Sequence, residues 1–447
     1  MSIHFTNVNQ LKKLLDQVAP LDKATERQAA SSCVLVEQIS FDTTSFTTWS
    51  PGKASHTQKY IHNISAEGGG GGEENVRFLI DFDELQGKIN RLHKARVRSI
   101  TMRLTPAGLT LIADLSIRDG QEVKTGNLRA RLYAGAWSDF EPPAPCAELV
   151  TEMDSASFKD LIGQVKSFSF SKLQHSEGNV VNRTLLLAPD IETGKVEAIA
   201  NHEGARIAFI KMRYAATNHF TTQLGIDGTY TKQLASITSG EEPVNILQEE
   251  REGQTWLTFA GNSGQVTIQY SEPELRTLHD QKLFEPDCTF GPFRLVTEAM
   301  RRVSLNSLST AVKMQLPSGA QERKDLLIAE LDGELVITHS QDIAGTERSM
   351  IPSLDYESPE ALQPWQPLVL SGEALASVTA ALERYIRQQA IETSTCEIWQ
   401  RTINRPDGSK SWLLIFQSFP MSISNELKLM IACNSAHDVQ DLLDTND

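Results

Sequence analysis

Along much of the chain the apolar residues follow two rhythms, one returning every three or four positions and one every second position. In SASFKDLIGQVKSFSFSK, Phe158, Leu161, Ile162 and Val165 fall at helical spacing, which predicts an amphipathic helix. A short strand from Glu152 precedes it. The runs NRTLLLAP, KVEAIAN and ARIAFIKM that follow have the aliphatic and β-branched character of strands, punctuated by Pro189, Gly194 and Gly204.

The same order recurs, and an internal repeat constrains the whole fold. Residues 76–140 read as strand RFLIDF, helix DELQGKINRLHKA, then strands SITMRLT, LTLIADL and LRARLYA. Residues 219–270 read as FTTQLGI, helix TYTKQLASIT, then PVNILQEE, TWLTFAG and QVTIQYS. Residues 290–351 begin with helix GPFRLVTEAMRRV, followed by strands AVKMQLP, DLLIAEL, ELVITHS and one near Ser349. Residues 367–421 give PLVLSG, helix EALASVTAALERYIRQQ, CEIWQRT and SWLLIFQS. The N-terminal unit shows its strand and helix (IHFTNVNQLKKLLDQV), but its later strands, within 33–75, cannot be placed.

Six such units pair into three domains, 1–145, 146–286 and 287–423, with 424–447 as a C-terminal extension. The class is α+β. EPPAP at 141–145 is a stiff connector, because proline fits neither a helix interior nor a central strand. LRTLHDQKLFEPD near 275–287 is polar and aperiodic, and serves as the second connector. The glycine run Gly68 to Gly72 makes 65–75 a flexible loop; without a following GK[ST] it is no phosphate-binding loop.

A chain of 447 residues suits about three cores of ordinary size. No stretch of about 18 apolar residues predicts a membrane span, and the start lacks the features of a secretory leader. The five cysteines are scattered, which reads as reduced thiols in a cytoplasm rather than a metal site or disulfide framework. The formal net charge of −15 argues against bulk attraction to nucleic acid, unless the basic residues are gathered on one surface.

Their placement on the helices suggests such a gathering. Lys13 points away from the Leu11, Leu14, Leu15 and Val18 stripe, and Arg91 and Lys94 lie opposite Phe82, Leu85, Ile89 and Leu92. Lys159 and Lys166 share a flank of the third helix, and Lys232 opposes Leu234 and Ile237 in the fourth. Arg294 and Arg301 oppose Phe293, Val296, Met300 and Val303, while Arg384 and Arg387 turn out from Leu375, Val378, Leu382 and Ile386. Amphipathic helices ordinarily carry solvated charges, and acidic residues such as Asp16, Glu84 and Asp160 share these faces. Recurrence on all six helices of an acidic chain is what points to sequence-independent phosphate contacts.

With that order of units the chain resembles the β subunit of bacterial DNA polymerase III, the sliding-clamp family. In ANHEGARIAFIKM (200–212), which is similar to the family's Ala-Thr-Asp-Gly-His-Arg-Leu-Ala segment, Gly204, Arg206 and Ala208 match and Ile207 is conservative. His202, Glu203 and Ala205 stand where the family has threonine, aspartate and histidine. Family members end in a strand and a Met-Pro-Met-Arg-Leu-like tail; here WLLIFQS runs into Phe419, Pro420 and Met421, without the arginine.

The resemblance implies a DNA-clamp fold, with helices lining the inside of a ring and sheets outside. It implies a head-to-tail homodimer encircling duplex DNA, a non-catalytic processivity factor that needs no cofactor or metal. DNA polymerase and clamp-loader subunits would dock by short peptides in a pocket of His202, Gly204, Arg206, Ile207, Phe419, Pro420 and Met421. Arg27, after the first helix, corresponds by resemblance to a DNA-contacting arginine. Greater length, a poorly preserved first unit and the extension 424–447 suit a diverged or specialised clamp.

Two other classes compete: a clamp-fold scaffold that no longer encircles DNA, and an enzyme with an unrecognised carboxylate site. The ten histidines show no paired-ligand spacing and no GxSxG motif occurs, so nothing in the sequence marks a catalytic or metal site.

Overall fold

The computed structural model describes residues 2–22, 29–40, 42–53, 55–61, 65–67, 77–105, 108–115, 124–130, 132, 139–169, 184–190, 195–202, 208–215, 223–227, 230–270, 281–285, 287–316, 325–339, 348–354, 363–389, 394–419 and 426–436. Within them the chain is α+β, and one module of strand, helix and three strands is written six times. The first is Ser2–Phe5, α1 (Val8–Val18), Cys33–Gln38, Thr44–Ser50 and Ser55–Ile61. The second is Arg77–Asp81, α2 (Phe82–Lys94), Ser99–Thr105, Gly108–Leu115 and Lys124–Ala130. The third is Glu148–Met153, α3 (Ser155–Ser169), Thr184–Asp190, Lys195–His202 and Ala208–Ala215. The fourth is Leu224–Asp227, α4 (Thr231–Leu234), Val244–Arg251, Gln254–Gly261 and Gly264–Gln269. The fifth is Phe293–Ser304, α5 (Leu305–Gln315), Asp325–Leu331, Glu334–His339 and Ser349–Pro352. The sixth is Leu368–Ser371, α6 (Gly372–Gln388), Thr395–Asn404, Lys410–Phe419 and Glu426–Ser435.

The modules are joined in twos by a reciprocal exchange of strands. The opening strand of the first pairs with the second module (Ile3 opposite Met102), and the opening strand of the second returns to the first (Ile80 opposite Val34). Modules three and four repeat the exchange (Glu152 opposite Asn245, Ile226 opposite Leu185). So do five and six (Val303 opposite Cys396, Leu370 opposite Leu326). Neither member of a pair can therefore complete its sheet alone.

Sheets then merge across pairs, and the chain divides into two compact bodies. One is Met1–Ala156 with Tyr230–Tyr270; the other is Ser157–Thr229 with Ser271–Asp447. Residues 146–286 are thus shared between bodies. The first body holds a five-stranded and an eight-stranded sheet, the latter closed where Val266 stands opposite Thr57. Its core takes the apolar stripes of α1 and α2, with Leu11, Leu15, Leu85 and Ile89 fully buried. Each such side chain contributes about 1.5–3 kcal/mol on leaving water. The second body is built on a thirteen-stranded sheet.

Both connectors are fastened by arginine. Arg251 donates to the carbonyl oxygens of Ala144 (2.7 Å) and Pro145 (3.1 Å), holding the proline-rich segment. Arg401, buried beside Trp399, donates to the carbonyls of Leu283 (3.4 Å) and Glu285 (3.2 Å).

Three expectations are corrected. GPFRLVTEAMRRV is not a helix: Phe293–Ser304 is a strand, and the helix is the next segment, Leu305–Gln315, including the AVKMQ expected as a strand. The pairing slips between Thr297 and Ala299, so buried Leu295, Ala299 and Val303 recur every four residues and mimic a helix. TYTKQLASIT forms only the single turn Thr231–Leu234. Finally, residues 424–447 are not a mere extension: Glu426–Ser435 completes the sixth module, pairing with Lys410–Phe419 and with Ala208–Ala215.

Candidate nucleic-acid interface

Side-chain caps fix where four helices begin, and hence which residues their polar faces present. Asn7 accepts from the Gln10 amide (3.1 Å), Asp81 from Glu84 (2.7 Å), Ser304 from Ser307 (3.3 Å) and Ser371 from Ala374 (3.4 Å). With the apolar stripes buried, Lys13, Arg91, Lys94, Lys159, Lys232 and Arg387 are exposed. None of these six forms an ion pair with a described residue, whereas neighbouring Lys12 and Lys88 are held by Asp16 and Glu84 one turn away. The unpaired cations are the ones with charge to offer a phosphate.

Other predicted positions differ. Arg294 is exposed, but on a strand. Arg301 is 7% exposed and forms a two-pronged pair with Glu330, Nε to Oε1 at 2.7 Å and Nη2 to Oε2 at 2.6 Å. Its charge is consumed in the core and cannot face a ligand. Arg384 is half-buried and donates to the Gly163 carbonyl (2.7 Å), linking α6 to α3. Lys166 is placed by its backbone only, and Arg27 lies outside the described residues.

Sequence reasoning missed Lys313, which is the exposed cation of the true fifth helix, 3.6 Å from Glu383. Leu305, Leu308 and Val312 at helical spacing, ending at Pro317, were the available signal. It also missed Arg96 and Arg98 just beyond α2.

Of the predicted peptide pocket, His202 and Phe419 are the described residues. Gly204, Arg206, Ile207, Pro420 and Met421 lie outside the described residues, while His202 and Phe419 end strands of one sheet. His202 stands opposite Ala208, Ala208 opposite Ile431, and Ile431 opposite Leu414. Phe419 is five residues further along its strand, so spacings of about 3.4 Å per residue and about 4.8 Å per strand put the two backbones roughly 20 Å apart. Next to Lys195–His202 runs Ala208–Ala215, and beyond it the last described strand, Glu426–Ser435. WLLIFQS belongs to the last described strand but one, Lys410–Phe419, which pairs with Glu426–Ser435.

No group of three or more His, Cys, Asp or Glu among the described residues could hold a metal ion. Burial pushes the thiols of Cys33, Cys146, Cys288, Cys396 and Cys433 above their ordinary range, the opposite of an activated nucleophile. Among the described residues no helix is long and apolar enough to cross a membrane.

No family model matches the sequence, and no curated protein does. Solved structures do. The β subunit of a DNA polymerase from Streptococcus pyogenes superposes with a TM-score of 0.65 at 10% identity, over 98% of this chain and 100% of that one. The DNA polymerase III β subunit of Pseudomonas aeruginosa gives 0.61 at 12% identity, over 98% and 100%. The Helicobacter pylori β clamp bound to a DNA ligase peptide gives 0.60 at 10% identity, over 97% and 100%. The likeness spans nearly the full length of each, and the fold of this chain is the β-clamp fold.

Proposed function

We propose that this chain, folded as the DNA polymerase III β subunits are, is a sliding clamp: a non-catalytic cytoplasmic protein whose dimer encircles duplex DNA and tethers polymerase and clamp-loader subunits. The observation that carries the reading is the exposed basic residue on each of the six described α-helices of a chain with net charge −15. Such cations give salt-sensitive contacts indifferent to base sequence, while overall acidity discourages binding elsewhere. A closed ring holds DNA by topology and needs no tight grip.

Closure requires a second copy, and strand edges without a partner among the described residues support one. Lys124–Ala130 ends the five-stranded sheet, and Ser349–Pro352 ends the thirteen-stranded one. On the latter Met350 is 48% exposed, and Met314 at the end of α5 is 72% exposed. Gln315 ties these elements together by a 3.1 Å bond to Ser349 Oγ. An open edge carrying apolar side chains invites pairing, and head-to-tail pairing of these edges, from the second and fifth modules, gives a ring of two.

Partner peptides, like the ligase peptide on the Helicobacter pylori clamp, would dock beside residues 203–207. The second wall of that groove is the end of Glu426–Ser435, beyond Ile431, in place of Phe419, Pro420 and Met421. The direct test of dimerisation is native mass at micromolar concentration, with Met350→Lys as the broken-edge control. A mass of two chains that falls to one in the variant supports the reading; a single-chain mass for the parent counts against it. A dimer that circular DNA cannot retain would be the scaffold alternative.

A further inference from the structure

In the first body, where the turn after α2 meets the start of α1, lies a depression of about 640 Å³. His93, Lys94, Arg96 and Arg98 line one side, facing Asn7 and Asn9 on the other. No carboxylate lines it, and none of the four basic side chains is ion-paired with a described residue. The helix end is not what makes it attractive to anions. Val8, Gln10 and Leu11 already donate their amides to the Arg98 carbonyl (2.9 Å), Asn7 Oδ1 (3.1 Å) and the Asn7 carbonyl (3.2 Å). The attraction rests on the side-chain cations.

Arg96 adds a second observation. It closes α2 at φ +59°, with the Val97 amide bonded back to the Leu92 carbonyl at 3.0 Å. Glycine takes this left-handed position without steric cost, and a side chain there is strained. The chain instead carries a guanidinium at the rim of a basic depression. Arginine's planar fork matches phosphate oxygens two at a time.

We propose that this depression is a phosphate-oxyanion seat of the first body, taking two or more adjacent phosphate groups. A lone phosphate would fill little of the volume, and the three cations Lys94, Arg96 and Arg98 suit a ligand with several negative charges. The seat is built within one body, and so does not depend on ring closure. Its ligand chemistry has two sources, a soluble di- or triphosphate or the backbone of a nucleic acid.

The test is calorimetric titration of the full chain with inorganic pyrophosphate, alone and in the presence of a short DNA duplex. Arg96→Gly and Arg98→Gln are the variants. Pyrophosphate is expected to bind, and each variant to weaken it about tenfold, the loss of one charge-assisted contact. Arg96→Gly should also unfold at the same or a higher temperature, so a loss of binding there is not a loss of folding. Competition between pyrophosphate and duplex would assign the seat to nucleic-acid backbone; independent binding would assign it to a soluble phosphate. No heat from pyrophosphate, or equal binding by parent and both variants, overturns the seat. Duplex binding without pyrophosphate binding overturns it too, since that is diffuse surface attraction.

Discussion

Arg301 and Glu330 are locked together by two parallel hydrogen bonds, 2.7 and 2.6 Å long, with the side chains 8% and 18% exposed. Arg301 also donates to the Gln363 carbonyl at 2.8 Å, and Glu330 accepts from the Trp365 amide at 3.3 Å. Removing one partner of such a pair leaves a buried charge uncompensated. Arg301→Ala should therefore cost about 3–5 kcal/mol in chemical denaturation. Exposed Arg294→Ala should stay within about 0.5 kcal/mol of the parent. Equal effects would show that Arg301 is not the structural residue described here.

His56 and Lys59, on opposite faces of the strand Ser55–Ile61, should make stability depend on pH. Lys59 reaches the Ser236 carbonyl from a buried position, and burial lowers its pKa from 10.5 to about 7. Burial, with Arg251 nearby, lowers that of His56 from 6.5 to about 4. Each group binds its proton more tightly in the unfolded chain, so stability rises with pH from 4 to 6.5 through His56 and from 7 to 10.5 through Lys59. Denaturation midpoints measured between pH 7 and 9 should rise for the parent and stay flat for Lys59→Met. Parallel slopes would refute the assignment.

Gly264 sits where two strands meet across the eight-stranded sheet. A Cβ there would stand 2.2 Å from the Gln58 carbonyl oxygen and 2.9 Å from the Lys59 Cα, on a backbone with φ +151°. Gly264→Ala should cost more than about 3 kcal/mol, beyond what a surface turn loses. Gly253→Ala meets nothing within 4 Å but has φ +75°, so about 1–2 kcal/mol is expected there. Thermal unfolding of the two variants in parallel separates a clash from simple backbone strain.

The repeat was legible because most helices kept their period: Leu375, Val378, Leu382 and Ile386 are buried as predicted, and so are Phe82, Leu85, Ile89 and Leu92. The strands of the first module were not. Thr44, Ser45, Thr47, Thr48, His56 and Lys59 are buried there, so polarity no longer marked the solvent face. The bulge between Thr297 and Ala299 hid one strand behind a helical spacing. The polar helix faces could be read from sequence, since each depends on residues within a few turns. The pairing of Ala208 with Ile431 could not, because the two lie more than two hundred positions apart.

The groove proposed beside that pairing gives a further prediction. A peptide carrying a glutamine and apolar anchors, from a polymerase or loader of the same cell, should bind the full chain with modest affinity. Truncation after Asn425 deletes the last strand and should abolish binding together with folding of the sheet. Met421→Ala is expected to leave both intact. Calorimetry on the point variant and circular dichroism on the truncation check this, and a large loss with Met421→Ala would restore the pocket read from sequence.

Retention on DNA of defined topology shows whether the protein encircles DNA as a ring. The chain would be loaded onto nicked circular DNA by its cognate loader, the DNA cut once, and the bound protein followed before and after. The protein is expected to stay on the circle and to be lost when the circle is opened. Charge reversal at Lys13, Arg91, Lys159, Lys232, Lys313 and Arg387 should reduce loading without unfolding either body. Equal retention on circular and linear DNA, or no retention on either, would contradict a ring that slides.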